Sequence, residues 1–372
     1  MMSDPSQNDS AGTHGSVANL APVYVQESLS QARARADNGD ILGALAAIDH
    51  ALSLEPRNVT ALMMKADHLL KQGDPRAATA FYAAVARLPA ASVRPEWNSE
   101  VVRAREMVRR YSQAFEEYVR TAMELRGFGP KQAPPRFSRA IEVLVGKARA
   151  YAQEPRYFYY PELAPIQFFD RKDFPFLDAV EAAYPDIRAE LDALIAEGAD
   201  FAPYVVHDQK RPPSSQRGLV DNSAWTAFFL MKEGARTVGA DRCPNTMAAL
   251  SNAPLAAIPN RTPAVLFSRL TPGAHIPAHT GMINTRLICH LAVKTNQHCA
   301  FRVGNETRVW EQGKAWVFDD TIDHEAWNKS DEDRTILIFD IWRPDIPEDE
   351  RLGFIALCEA IDEFNGRQAW ND

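Results

Sequence analysis

Residues 268–291 read SRLTPGAHIPAHTGMINTRLICHL: short apolar runs broken by proline, glycine and a turn, with three histidines among them. This texture belongs to an all-β region, and it extends in both directions. Strands are expected over 225–231, 264–270, 285–295, 300–303, 315–318 and 335–342. Six or more short strands in about 140 residues predict a sandwich or barrel. Just upstream, 174–197 places Phe176, Leu177, Val180 and Ala183 at helical spacing and opens the same domain.

The histidines are unevenly placed. Five of the nine (His275, His279, His290, His298 and His324) fall within 50 residues. His279 lies in PAHTG, before a turn, and His324 lies in DDTIDHEAW, after the strand 315–318, so both sit at strand ends, where side chains can converge. Arg334 follows His324 by ten residues, on the last long strand. Two histidines and then an arginine, in that order, resemble the iron- and 2-oxoglutarate-dependent oxygenases, whose fold is a double-stranded β-helix. Arginine suits a carboxylate because its planar fork makes two parallel hydrogen bonds. Most such enzymes complete a facial triad with a carboxylate two residues after the first histidine, but here that position is Gly281.

The surrounding sequence narrows the likeness. The stretch at 268–291, with VGNETRVWEQGKAWVFDDTIDHEAWN (303–328) and RTILIFDIWRP (334–344), closely resembles the aspartyl/asparaginyl β-hydroxylase family, in which the triad carboxylate is absent. The resemblance is dense over 265–344 and weaker upstream to about residue 159. It implies that His279 and His324 hold Fe(II), that Ser268 and Arg334 hold the distal carboxylate of 2-oxoglutarate, and that His290 lies near the cosubstrate's other end. Along a strand side chains alternate faces, so a pocket-facing His290 brings Arg286 and residue 288 with it, and Arg286 becomes a candidate substrate clamp. Animal members carry a second arginine where this chain has Ile288. That departure bears on an acidic substrate side chain, unless another residue such as Arg269 or Arg302 supplies the charge. His207, His275 and His298 read as ordinary surface or hydrogen-bonded histidines, and the tryptophans read as core. Asp319 and Asp320 are expected to brace the turn before His324 rather than bind metal.

The first half of the chain is helical and repeats itself. Ala32 and Ala66, Gly39 and Gly73, Asp40 and Asp74, Ala44 and Ala78, and the bulky Ile48 and Tyr82 are each 34 residues apart, the tetratricopeptide period. Animal members of the resembled family also place such a region before the oxygenase domain. The expected organisation is a flexible polar tail over 1–21, tetratricopeptide-like helical repeats over 22–130, a Pro- and aromatic-rich junction over 131–158 containing a helix at 138–153, and the double-stranded β-helix (jelly-roll, cupin-like) domain over 159–372. The whole is thus a multidomain α + β chain of 372 residues. Solenoid repeats offer a concave face to a protein partner.

Composition bounds the rest. Hydrophobic residues at 46% and charged residues at 24% are ordinary for a globular protein. With 41 basic against 49 acidic residues, the net charge of −8 gives no support to nucleic-acid binding. Four scattered cysteines form no CxxC pair and read as reduced thiols, and with no apolar run of membrane-span length and no secretory signal in view, a cytoplasmic protein is expected. The activity that the resemblance implies is that of a dioxygenase using Fe(II), 2-oxoglutarate and O2 to hydroxylate the β-carbon of Asp or Asn in a peptide or protein. Two alternatives stand beside it: the same chemistry on a small molecule or acyl chain, and an inactive repeat scaffold that binds a partner.

Overall fold

The computed structural model describes residues 21–207 and 218–366. The polar segment read as a tail lies, apart from Ala21, outside them. The chain divides into two compact units, up to Ala148 and from Arg149 onward.

The first unit is built from α1 (Ala21–Asp37), α2 (Ile41–Leu54), α3 (Val59–Lys71), α4 (Pro75–Ala86), the long α5 (Asn98–Leu125) and α6 (Pro135–Leu144). The repeated dipeptide makes the turn in each helical pair. Gly39 and Gly73 have φ of 78° and 83°, a region costly for any residue with a Cβ. Asp40 and Asp74 then cap the next helix, accepting from the backbone N–H of Gly43 at 2.9 Å and Ala77 at 2.8 Å. Ala32, Ala44, Ala66 and Ala78 are wholly buried, which lets the paired helices approach closely. The helix expected at 138–153 is instead α6, which stops at Leu144 because Gly146 turns the chain at φ 76°.

The second unit contains α7 (Leu177–Ala182), α8 (Tyr184–Ala196), β1 (Ala202–Pro203), β2 (Trp225–Lys232), β3 (Ala235–Arg236), α9 (Val238–Arg242), α10 (Pro244–Ala249), β4 (Val265–Leu270), β5 (His275–His279), β6 (Arg286–Lys294), β7 (Cys299–Val303), β8 (Glu306–Val309), β9 (Ala315–Phe318), β10 (His324–Asn328), β11 (Arg334–Trp342) and α11 (Glu348–Asn365). The larger sheet runs β1-β2-β4-β11-β6-β9 with β3 beside β2, and the smaller runs β5-β10-β7-β8. The described strand pairs are antiparallel. This is the double-stranded β-helix.

Both faces of the larger sheet are covered, so its central strands bury apolar residues on both sides, and the polar residues they carry are themselves mostly buried. On one face Leu287, Cys289, Leu291, Leu337, Phe339 and Ile341 pack with Leu177, Ile187, Leu191 and Leu194 of α7 and α8. On the other, Leu266, Ile288, Ala292, Ile336 and Ile338 meet Ile276, Phe301, Val303 and Ala326 of the smaller sheet. The space between the sheets opens into the cavity described below. A segment before α7 straps across two loops at its mouth: the N–H of Glu154 donates to Thr321 O (2.8 Å), the N–H of Arg156 to Gly281 O (2.9 Å) and the N–H of Tyr157 to Met282 O (2.9 Å).

Candidate active site

His279 ends β5 and His324 begins β10, and the two are direct cross-strand partners. Their ring centroids are 4.1 Å apart. Each ring is oriented the same way, with Nδ1 2.8 Å from Pro277 O for His279 and 3.0 Å from Ile322 O for His324. A carbonyl only accepts, so in both rings Nδ1 carries the proton and Nε2 keeps its lone pair for another partner. Burial lowers the basicity of His279, and the charge of Arg156 adds to this. Burial and the neighbouring His279 hold His324 well below its ordinary value. Two neutral imidazoles offering adjacent Nε2 atoms are a donor set suited to a divalent transition metal. Among the described residues no group of three or more His, Cys, Asp or Glu is arranged to hold a metal, so any metal held here rests on this pair.

Gly281, two residues after His279, has no room for a side chain unless Asp320 shifts. A Cβ there would lie 2.1 Å from Asp320 Oδ2 and 2.6 Å from Oδ1. The room that a carboxylate on residue 281 would use is filled by Asp320, reaching in from the turn before His324.

The pair opens into a cavity of about 1000 Å³, at the upper end of small-molecule sites. Deep in it lies Arg334, the first residue of β11, 1% exposed, with its guanidinium carbon 4.8 Å from the centroid of Trp310. Among the described residues its Nε and Nη1 have no hydrogen-bond partner. Burial pushes it down to about 10, so it still carries a charge at neutral pH. A buried, uncompensated cation is costly, and its presence indicates an anionic ligand. Ser268 lies two strand positions away, opposite Ile336 in the ladder, and its Oγ accepts from Trp225 Nε1 at 3.1 Å. His290 sits on β6 among Phe318 (4.6 Å), Phe301 (5.0 Å) and Trp310 (6.1 Å), its Nδ1 unpartnered. Burial, with the charge of Arg334 behind it, keeps that imidazole neutral.

Arg286, Ile288 and His290 line the cavity together, while Leu287, Cys289 and Leu291 pack against the helices. Arg286 is not a solitary cation. Its Nη2 lies 3.1 Å from Asp320 Oδ2 and its Nη1 3.6 Å from Asp340 Oδ1. Burial would lower its pKa, but the two carboxylates overcome this and raise it. Burial pushes Asp320 up to about 6, against the pull of Arg286.

The comparisons with known proteins can now be read against this geometry. The aspartyl/asparaginyl β-hydroxylase family matches residues 181–344. An ornithine lipid ester-linked acyl 2-hydroxylase from Rhizobium tropici is 32% identical over 222 residues, covering 59% of this chain and 73% of that protein. The chain belongs to the aspartyl/asparaginyl β-hydroxylase family. The human aspartyl/asparaginyl β-hydroxylase is 34% identical over 141 residues, 37% of this chain and 18% of that protein. Human aspartate β-hydroxylase domain-containing protein 2 is 26% identical over 209 residues, 55% of this chain and 54% of that one. The chain thus spans well under two thirds of these two human relatives. Membership in a hydroxylase family makes it an enzyme of hydroxylation.

Within this hydroxylase-family domain, the six residues singled out from sequence (Ser268, His279, Arg286, His290, His324 and Arg334) all line the one cavity. Arg269 and Arg302 do not join them. Arg302 is held by Glu325, Asp323 and Gly304 O, and Arg269 lies over Phe201 and bonds Thr226. Sequence reasoning missed Tyr204, Arg156 and Asp340, and read Trp225 as core. Asp340 carried a signal, an acid in the apolar run RTILIFDIW; Arg156 carried none, being 123 residues before His279.

Proposed function

We propose that this chain is an Fe(II)- and 2-oxoglutarate-dependent dioxygenase that hydroxylates an unactivated carbon. The observation that carries the reading is the pairing, in one cavity, of two neutral histidines presenting Nε2 with a buried guanidinium that has no counter-ion among the described residues. His279 and His324 would hold the iron, and Arg334 with Ser268 would hold the distal carboxylate of 2-oxoglutarate. Bound there, iron with the cosubstrate and O2 supplies the oxidising power, one oxygen leaving in succinate as CO2 is lost and the other going to the substrate carbon. The chain's own part is positional. The carbonyls of Pro277 and Ile322 fix the ring tautomers. Trp310 and Phe301 wall Arg334 and His290 from water, which strengthens their hold on an anion.

For the substrate, the family supports the β-carbon of Asp or Asn in a peptide or protein. A second reading, the same chemistry on an acyl chain, is favoured by Ile288 and by the apolar Val205, Leu219 and Phe229 along the cavity, and by the printed activity of the Rhizobium relative. For the helical unit we propose a protein-docking role. Purified protein given Fe(II) and 2-oxoglutarate should form succinate, and mass spectrometry of lysate peptides and lipids should locate added oxygen. Failure to decarboxylate 2-oxoglutarate under any of these conditions overturns the reading.

A further inference from the structure

The substrate end of the cavity carries its own recognition chemistry. One guanidinium, Arg286, faces two carboxylates, Asp320 and Asp340, and all three side chains are nine-tenths buried or more. Ile288 brings no second cation. Among the described residues the cation acting on both carboxylates is Arg286, whereas Arg156 acts on His279. A substrate carboxylate placed here would be a third anion around one cation, in a site where like charges are poorly screened.

The atoms left over have a definite complement. Among the described residues Arg286 Nε has no acceptor and Nη1 has only the 3.6 Å approach of Asp340 Oδ1, while Asp320 Oδ1 has no donor. Asp340 is already engaged, its Oδ2 accepting from the N–H of Ala264 at 2.9 Å. Asp320 is held in place by its backbone, whose carbonyl accepts from the N–H of Gly281 at 2.6 Å. The ion pair between Arg286 Nη2 and Asp320 Oδ2 keeps a donating group next to an accepting one, and the two together match a group that offers both. An amide does so through its C=O and N–H; a carboxylate or an ester only accepts, leaving Asp320 Oδ1 unmet.

We propose that the substrate group seated against Arg286 and Asp320 is a neutral amide, the side chain of an asparagine or the linkage of an amide-bound acyl chain, and not a carboxylate. The inference rests on the hydroxylase reading only in taking this cavity as the substrate site.

Matched probes test it in the full chain, with and without Zn(II) and 2-oxoglutarate. N-acetyl-asparagine N-methylamide is compared with N-acetyl-aspartate N-methylamide, and octanamide with octanoate, by following the Nε–H resonance of Arg286, assigned through Arg286→Lys. The expected result is a saturable shift with the amide of at least one pair and binding about tenfold or more tighter than its acid, the cost of one unmet buried hydrogen bond. The responding pair identifies the source as peptide or acyl chain. In Asp320→Asn the preference should shrink or reverse. An acid that binds as tightly as its amide in wild-type protein overturns the proposal, as does silence of Arg286 toward all four probes. Amide binding without any 2-oxoglutarate turnover would instead sink the hydroxylase reading alone.

Discussion

Replacing Arg334 with methionine should have two opposite effects. The guanidinium is 1% exposed and its Nε and Nη1 have no partner among the described residues, so in the ligand-free protein it is a buried charge without compensation from them. Methionine, unbranched like the arginine stem that lies beside Trp310, removes that cost, a change worth about 1–3 kcal/mol of added stability. At roughly 2–4 °C per kcal/mol for a unit of this size, the unfolding temperature should rise by several degrees. Cosubstrate binding goes the other way. Two charge-assisted hydrogen bonds at about 1.5–3 kcal/mol each are lost, weakening 2-oxoglutarate by roughly a hundredfold or more. Thermal unfolding with and without 2-oxoglutarate, a divalent metal being present throughout, reads both effects. At a hundred times Kd the wild type gains about 2.7 kcal/mol from the ligand, and the variant should gain almost nothing. An Arg334→Met protein that is less stable when ligand-free, and still shifts with 2-oxoglutarate as the wild type does, refutes the anion-site reasoning.

Three further outcomes follow from the same geometry. His279→Ala or His324→Ala should abolish succinate formation while circular dichroism stays native; turnover at the wild-type rate in either would remove the metal assignment. Gly281→Ala drives a Cβ into Asp320 Oδ2 at 2.1 Å and should cost about 1–3 kcal/mol in denaturant unfolding, so unchanged stability would show the packing to be misread. Asp320, raised to about 6 by burial, favours the fold most below its unfolded value of 3.8, and that contribution is lost as pH rises through about 6. Asp320→Asn should therefore gain on the wild type over that window, by up to about 3 kcal/mol; a stability difference flat in pH would contradict it.

Much of this architecture is legible in the chain. The 34-residue spacing of Gly39-Asp40 and Gly73-Asp74 marks real turns and caps, and the long strands β6 and β11 stand out because both of their faces are buried. The strands that carry the histidines do not stand out. HIPAH and HEAWN are five residues each, neither alternates polar with apolar residues and one contains a proline, so the sequence marks strand ends near His279 and His324 but not a paired ladder. The helical run 174–197 is two helices because Tyr184-Pro185 restarts the chain. At the site, spacing picks out His279, His324 and Arg334, but the neutralisation of Arg286 depends on Asp320 and Asp340 arriving from two other elements, which is a tertiary fact.

The strap laid across the cavity mouth has a consequence for dissecting the protein. Its hydrogen bonds come from Glu154, Arg156 and Tyr157, and Gln153 bridges Asp319 and Asn284. A fragment begun at residue 159 would lack all of these, leaving the loops at 281–284 and 319–321 to fray. Cleavage by a protease in those two loops should be slow in a fragment begun at Arg149 and fast in the shorter one, so the smallest piece that preserves the pocket begins well before residue 181, where the family match starts.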